Sequence, residues 1–367
     1  MGERSLRIAR LALLALVIGC ALAVDVFGVG VKAIEGPSSG DVSIFWTAGR
    51  IDPAKVYDFE AITRAQRPIV GPPVFARPYL NPPTYLPVWR VLARLPAGWA
   101  LALWASLTTV VFLVACLGVA RPWAVALVAL SPVVWSTAAG GQVALLVGAC
   151  IIGGVALLPK RPLLAGALFA VAALIKPPAV TLVPLALIAC RQWRALAACL
   201  VTGVAAGLAS VAYEGVDLWL RWFGALREFT RFLETSPVIE KGVSPGTIVR
   251  LLHLDGPAAL ALQLVCGALG VFLVWRTFRR TDEPLVRLVA LTTGCLLVTP
   301  YAMTQEMTPM LPFAASALLS DRVHPLFWLA ALMVLTMVAA PLGVLLMAAA
   351  LLAPGVSRTA EAANGKA

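Results

Sequence analysis

The sequence predicts an all-α, polytopic membrane protein, and three observations carry that expectation. Sixty per cent of the 367 residues are hydrophobic and 13% are charged, where a soluble domain is about half apolar and about a quarter charged. The mean hydropathy is +0.90. The apolar residues fall into runs long enough to cross a bilayer, separated by short basic clusters that set orientation. The net charge of +11 is spread over those clusters, so it forms no nucleic-acid-binding patch. All seven cysteines lie in or at the edge of apolar runs. None falls in the two long loops, so no disulfide framework or metal-ligand spacing is present and they read as packing residues.

The first run, residues 8–31, follows Arg4, Arg7 and Arg10, which places the N-terminus in the cytoplasm. It is too long for a signal peptide and no small-residue cleavage site follows it. Asp25 near its outer end has two readings, an ion-pair partner or a cavity residue. A long outer loop, residues 32–98, leads to a second span over 99–119, ending at Arg121. Spans three and four, 123–137 and 142–158, are separated by the short turn AAGG, with Lys160 and Arg161 inside. The next run is interrupted by IKPP at 175–178, resumes to Cys190 and meets RQWR. With basic clusters at both ends it crosses twice, in halves of roughly 14 residues against the ~20 of a full span. Proline-broken half-spans line cavities, because unsatisfied backbone is not tolerated facing lipid.

A seventh span, 195–213, opens into the second outer loop, 214–255. There LWLRWFGALREFTRFL alternates aromatic residues with Arg221, Arg227 and Arg231 at helical spacing, the pattern of an amphipathic helix in the interface. The eighth span ends in RTFRRTDEPLVR, the strongest inside signal. The ninth ends outside at TPYAMTQEM, and the tenth returns to Asp321 and Arg322. The last run, 325–354, reads either as one long span or as two short ones hinged at Pro341. The sum is about 11 crossings, with 10 to 12 allowed by that last run. They form one membrane domain over residues 1–356, with a disordered tail over 357–367 and no internal repeat.

This topology gathers Asp41, Asn81-Pro82-Pro83, Gln142, Lys176 and Glu306 on the outer side. A lysine at membrane depth requires a partner or an anionic ligand, and as a point charge it suits phosphate. A nearby carboxylate serves either as its ion-pair partner or as a general base. Each residue also has a plain structural reading. Asp41 would cap a helix starting at Val42, Gln142 would bridge its turn, Lys176 would snorkel, and Glu306 would be a loop acid. Arg77 and Tyr79 would be interface anchors. His253 and His324 stand alone near segment ends and read as structural.

These segments also carry a family resemblance. DVSIFWTAGRIDPAKVYD, NPPTYLPVWRVLARLP, GQVALL, PLLAGALFAVAALIKPPAVTLVPLALIACRQWRA and LLVTPYAMTQEM, in that order, resemble the bacterial DUF2029 group, classed as glycosyltransferase family 87. The resemblance spans about residues 40–319. It implies a GT-C type, polyprenyl-phosphate-mannose-dependent mannosyltransferase-like enzyme of the bacterial inner membrane, with its active site on the outer face. It implies Asp41 as the general base of an inverting transfer. Lys176 and Arg77 become the donor-phosphate ligands. Gln142, Glu306, Asn81, Trp46 and Tyr57 become sugar or acceptor contacts. No metal or other cofactor is implied beyond the lipid-linked sugar donor. The implied partners are membrane lipids, a polyprenyl-phosphate sugar and a glycolipid or glycan acceptor. Two positions depart from the family pattern: Asn81 stands where Tyr-Pro-Pro is usual, and Gln305-Glu306 where Tyr-Asp is usual. Two rival readings stand beside the transferase, a transporter or flippase of a polar lipid and a non-catalytic membrane scaffold.

Overall fold

The computed structural model describes residues 40–70, 78–235, 242–320 and 323–353, with single positions 12, 15 and 19. The expected first span with Asp25, Arg77, the Asp321-Arg322 pair and the C-terminal tail lie outside the described residues. The described chain is helical, and its one β-bridge joins Gly242 to Met303.

The first long loop folds into α1 (Val42–Ala48), α2 (Phe59–Val70) and α3 (Leu86–Leu92). These short helices share an aromatic core. Phe45 stacks on Trp89 at 5.3 Å and meets Tyr79 and Tyr85 edge-on, while Trp104 closes on Tyr85 and Trp89. The segment expected to be an outer loop is therefore a packed lobe.

Then come α4 (Ala97–Leu117), α5 (Pro122–Ala129), α6 (Pro132–Ala139), α7 (Ala144–Leu157), α8 (Pro162–Ile175), α9 (Val183–Ala189), α10 (Trp193–Glu214) and α11 (Val216–Thr235). The chain closes with α12 (Pro245–Leu251), α13 (Gly256–Arg280), α14 (Pro284–Val298), α15 (Leu311–Leu318), α16 (Pro325–Thr336) and α17 (Ala340–Leu352). Most begin with proline in the first turn, where its missing N–H costs nothing. Three of them, α4, α10 and α13, are long and apolar enough to cross a membrane; the bent pair α5–α6 makes a fourth if it is one span. Leu103, Leu107, Val110 and Val114 on α4, and Leu200, Val204 and Leu208 on α10, are exposed at helical spacing. Such apolar stripes are covered by lipid. This is a multi-pass membrane protein.

The shorter apolar helices fill the interior; every residue of α14 from Leu285 to Leu297 is buried. Glycines let the backbones close. A Cβ on Gly166 of α8 would stand 2.1 Å from the Ala195 carbonyl of α10, and one on Gly270 of α13 would stand 2.7 Å from the Gly294 carbonyl of α14. Small residues at such crossings are how membrane helices pack tightly.

Two expectations change in detail. The third span is not one helix: α5 and α6 meet at 52°, because Pro132 removes an N–H and the Ser131 hydroxyl instead accepts from Val133 N–H and donates to Leu335 O. The last run is two helices. They part at Met337 and Ala339, which hold φ of 60° and 48°, and Gly343 of α17 lies against Met333 and Ala330 of α16. Pro341 sits in the first turn of α17 rather than at the hinge.

Candidate active site

Asp41 immediately precedes α1, and glycine fixes its place. The Val42 N–H donates to Gly140 O at 3.1 Å. A Cβ on Gly40 would lie 2.5 Å from that same oxygen, and Gly141, at φ +65°, packs on Val42. Only glycine permits that approach and that turn, so the AAGGQ turn between α6 and α7 clamps Asp41. Asp41 occupies the N-cap position, yet its side chain makes no cap hydrogen bond. The capping role does not hold. Gln142 ends the same turn half-buried; its N–H donates to Thr137 O and its carbonyl accepts from Trp104 Nε1.

Lys176 sits in the interruption that the sequence marked. Because Pro177 and Pro178 have no N–H, the last carbonyls of α8 cannot be satisfied by continuing the helix. The first lobe supplies the donors. Asn81 Nδ2 donates to Ile175 O at 2.8 Å, and Thr84 Oγ1 donates to Leu174 O at 2.5 Å. Lys176 then leaves the helix at φ −147°, and its ammonium contacts the Glu306 carboxylate. Glu306 belongs to a 3₁₀ segment, Thr304–Met310, anchored where Thr308 Oγ1 donates to Ala144 O at 3.0 Å in the first turn of α7.

Tyr301 links the two halves. Its hydroxyl is pushed well above the usual tyrosine range, first by burial, then by the Glu306 carboxylate and then by Asp41. Phe229 of α11 meets its ring edge-on at 5.3 Å. The amphipathic helix α11 therefore reaches over the site; it buries Leu218, Trp222 and Ala225 and its Trp222 Nε1 donates to Leu80 O. Under the Lys176–Glu306 pair is a cavity of about 20 Å³, lined by residues that include Ala144, Thr292, Cys295 and Thr308. That is room for about one water.

The structure thus brings Asp41, Gln142, Asn81, Lys176 and Glu306 to one end of the bundle. Arg77 is outside the described residues. Three expected sugar or acceptor contacts make hydrogen bonds within the scaffold. Tyr57 is 5% exposed and its hydroxyl donates to Asn81 O at 2.8 Å; Asn81 caps α8. Trp46 Nε1 donates to Leu95 O, under the Arg50 guanidinium. His324 is structural, as expected: its Nδ1 accepts from Leu326 N–H at the start of α16.

Sequence reasoning missed Tyr301, although it stands inside TPYAMTQEM. It also missed the Arg90–Glu214 ion pair at 2.7 Å, which ties α3 to the end of α10. Those partners stand 124 residues apart, and no local pattern joins them.

Long lipid-facing helices around a short-helix interior, with ionisable residues gathered at one end, define a multi-pass membrane protein with a polar site. The glycosyltransferase family 87 model matches residues 79–300, more than half of the chain, and the chain belongs to that family. It is a membrane glycosyltransferase. The matched stretch contains Asn81, Gln142 and Lys176, while Asp41, Tyr301 and Glu306 lie outside it. No curated protein and no solved structure matches the chain.

Proposed function

We propose that this glycosyltransferase moves a hexose, mannose by family resemblance, from a polyprenyl-phosphate donor to a lipid or envelope glycan acceptor. The transfer takes place at the outer face of the bacterial inner membrane. One observation carries the reading: the Asp41 carboxylate, which does not cap its own helix, and the Glu306 carboxylate, paired with a lysine at a broken helix end, both raise the pKa of Tyr301. In the proposed step an acceptor hydroxyl oxygen attacks the anomeric carbon while Asp41 takes its proton. The bond from that carbon to the phosphate oxygen breaks, the configuration inverts, and the lipid monophosphate leaves with both electrons. Lys176 stabilises the charge that develops there, with Arg77 as a second cation. Gln142 contacts the sugar or the acceptor. These groups require no metal or further cofactor.

The N-terminus is cytoplasmic in this reading. The short helices cross in pairs, α8 with α9 and α16 with α17, which yields about 11 crossings in one domain over residues 1–356. The lipid tail of the donor lies between helices, and membrane lipids cover the exposed stripes of α4, α10 and α13.

The test uses membranes carrying wild type or Asp41→Asn, supplied with radiolabelled polyprenyl-phosphate mannose and native lipid extract. The reading expects label transfer by the wild type and none by a normally folded variant. Equal transfer by both overturns the assignment of Asp41. Transport of the labelled donor across the membrane without transfer to an acceptor would instead favour a flippase.

A further inference from the structure

The Lys176 ammonium is already neutralised. Its contact is the Glu306 carboxylate, and that side chain is only 6% exposed against 27% for the lysine. Glu306 is held from both sides of its segment: its own N–H donates to Met303 O at 3.0 Å, and Thr308 is tied to Ala144. The geometry therefore aims this carboxylate at the lysine. Below the pair, the cavity of about 20 Å³ admits about one water. Thr292 lines it with a buried hydroxyl that has no protein partner. A phosphate monoester, with four oxygens on phosphorus, is larger than the one water for which the cavity has room. Approaching from the Asp41 side, it would meet a lysine whose charge is already taken, beside a carboxylate that repels it.

We infer that Glu306 is the resident counter-ion which the donor phosphate displaces from Lys176, so that Glu306 sets the affinity for polyprenyl-phosphate ligands and touches neither sugar nor acceptor. This rests on the reading of Lys176 as the phosphate ligand. Glu306 is a positioning residue in this scheme: with no ligand it compensates a lysine that would otherwise be a poorly solvated cation, and it yields that place to a stronger anion. The lipid monophosphate left after transfer faces the same competition, so the returning carboxylate also helps expel product.

The experiment titrates undecaprenyl monophosphate into the full chain in nanodiscs, following tryptophan fluorescence, and measures donor KM and kcat alongside. Glu306→Gln keeps the shape and removes the competing charge; it is expected to bind about tenfold more tightly. Its donor KM falls in step, while kcat falls where product release limits turnover. Glu306→Asp, with the charge on a shorter arm, falls between wild type and Gln. Lys176→Gln loses binding, and the double variant behaves like Lys176→Gln, because the gain works through the lysine. A Glu306→Gln protein that binds no more tightly than wild type overturns the inference, and so does a gain that survives in the double variant. Should the Gln variant fail to fold, the Asp variant decides: binding no tighter than wild type overturns the inference. The two levels separate cleanly. If Lys176→Gln binds the lipid phosphate as wild type does, the reading of Lys176 fails and this inference with it; if Lys176→Gln loses binding but Glu306→Gln gains none, only the inference fails.

Discussion

Among the described residues, the three helices long and apolar enough to span a membrane, α4, α10 and α13, contain none of the candidate site residues, whereas every described candidate lies in a short helix, a 3₁₀ segment or a turn. The long helices satisfy their own backbone and turn apolar stripes to lipid, so nothing in them requires a polar side chain. An interruption does. Where α8 stops at Pro177 and Pro178, orphan carbonyls need donors and a lysine needs a counter-ion. The polar groups cluster there because the break requires them, and a site for a charged lipid can form from the same groups. Chemistry in this fold follows the broken backbone.

The largest test of that contrast is Asp41→Asn, expected to lower transfer by roughly 10²–10⁴-fold, the usual contribution of a general base, with an unchanged melting temperature. A loss of fold in place of a loss of rate would mean that the residue serves the scaffold. Next come paired glycine substitutions. Gly166→Ala puts a methyl 2.1 Å from a backbone oxygen and should cost about 1–3 kcal/mol by thermal melting in detergent. Gly203→Ala on α10 meets open space and should stabilise by about 0.5–1 kcal/mol, since alanine is the better helix former. Equal effects at both positions would erase the distinction between interior and lipid-facing helices. Asn81→Leu deprives the Ile175 carbonyl of its donor and should cost about 1–3 kcal/mol, read as a lower melting temperature and easier proteolysis near residue 176.

The smallest and most specific effect concerns pH. Burial pushes the hydroxyls of Tyr57, Tyr79 and Tyr85 above the ordinary tyrosine range, with Glu214 adding to the shift at Tyr57 and Tyr79. Their folded pKa values exceed the unfolded value of about 10. The stability they hold is therefore complete below about pH 10 and is lost as pH rises toward the folded values. Tyrosinate absorbance followed against near-ultraviolet circular dichroism should show the first lobe opening above about pH 10. Tyr85→Phe should weaken that dependence, and an unchanged alkaline profile would mean the hydroxyl is not buried as described.

Much of this was legible in the sequence, and unevenly so. The break at IKPP was readable because proline lacks an N–H wherever it stands, and the basic clusters bracketed two half-length segments. The amphipathic pattern of α11 was readable from helical spacing. Pairings across the chain were not: Lys176 with Glu306 spans 130 residues and Asn81 with Ile175 spans 94. Asn81, Trp46 and Tyr57 looked like ligand contacts because polar and aromatic residues near a site can bind or build. The hydrogen bonds they make within the scaffold were not legible. The bend at Ser131 was signalled by Ser-Pro but hidden inside a run of spanning length.

The cap on α8 also constrains how the protein is made. Asn81 and Thr84 leave the ribosome some ninety residues before the helix end they satisfy. Synthesis therefore delivers the donors first. The half-helix made later finds its donors only where the first lobe has folded and is waiting for it. Delayed folding of that lobe would leave the Leu174 and Ile175 carbonyls bare, a defect met during synthesis rather than in the finished enzyme.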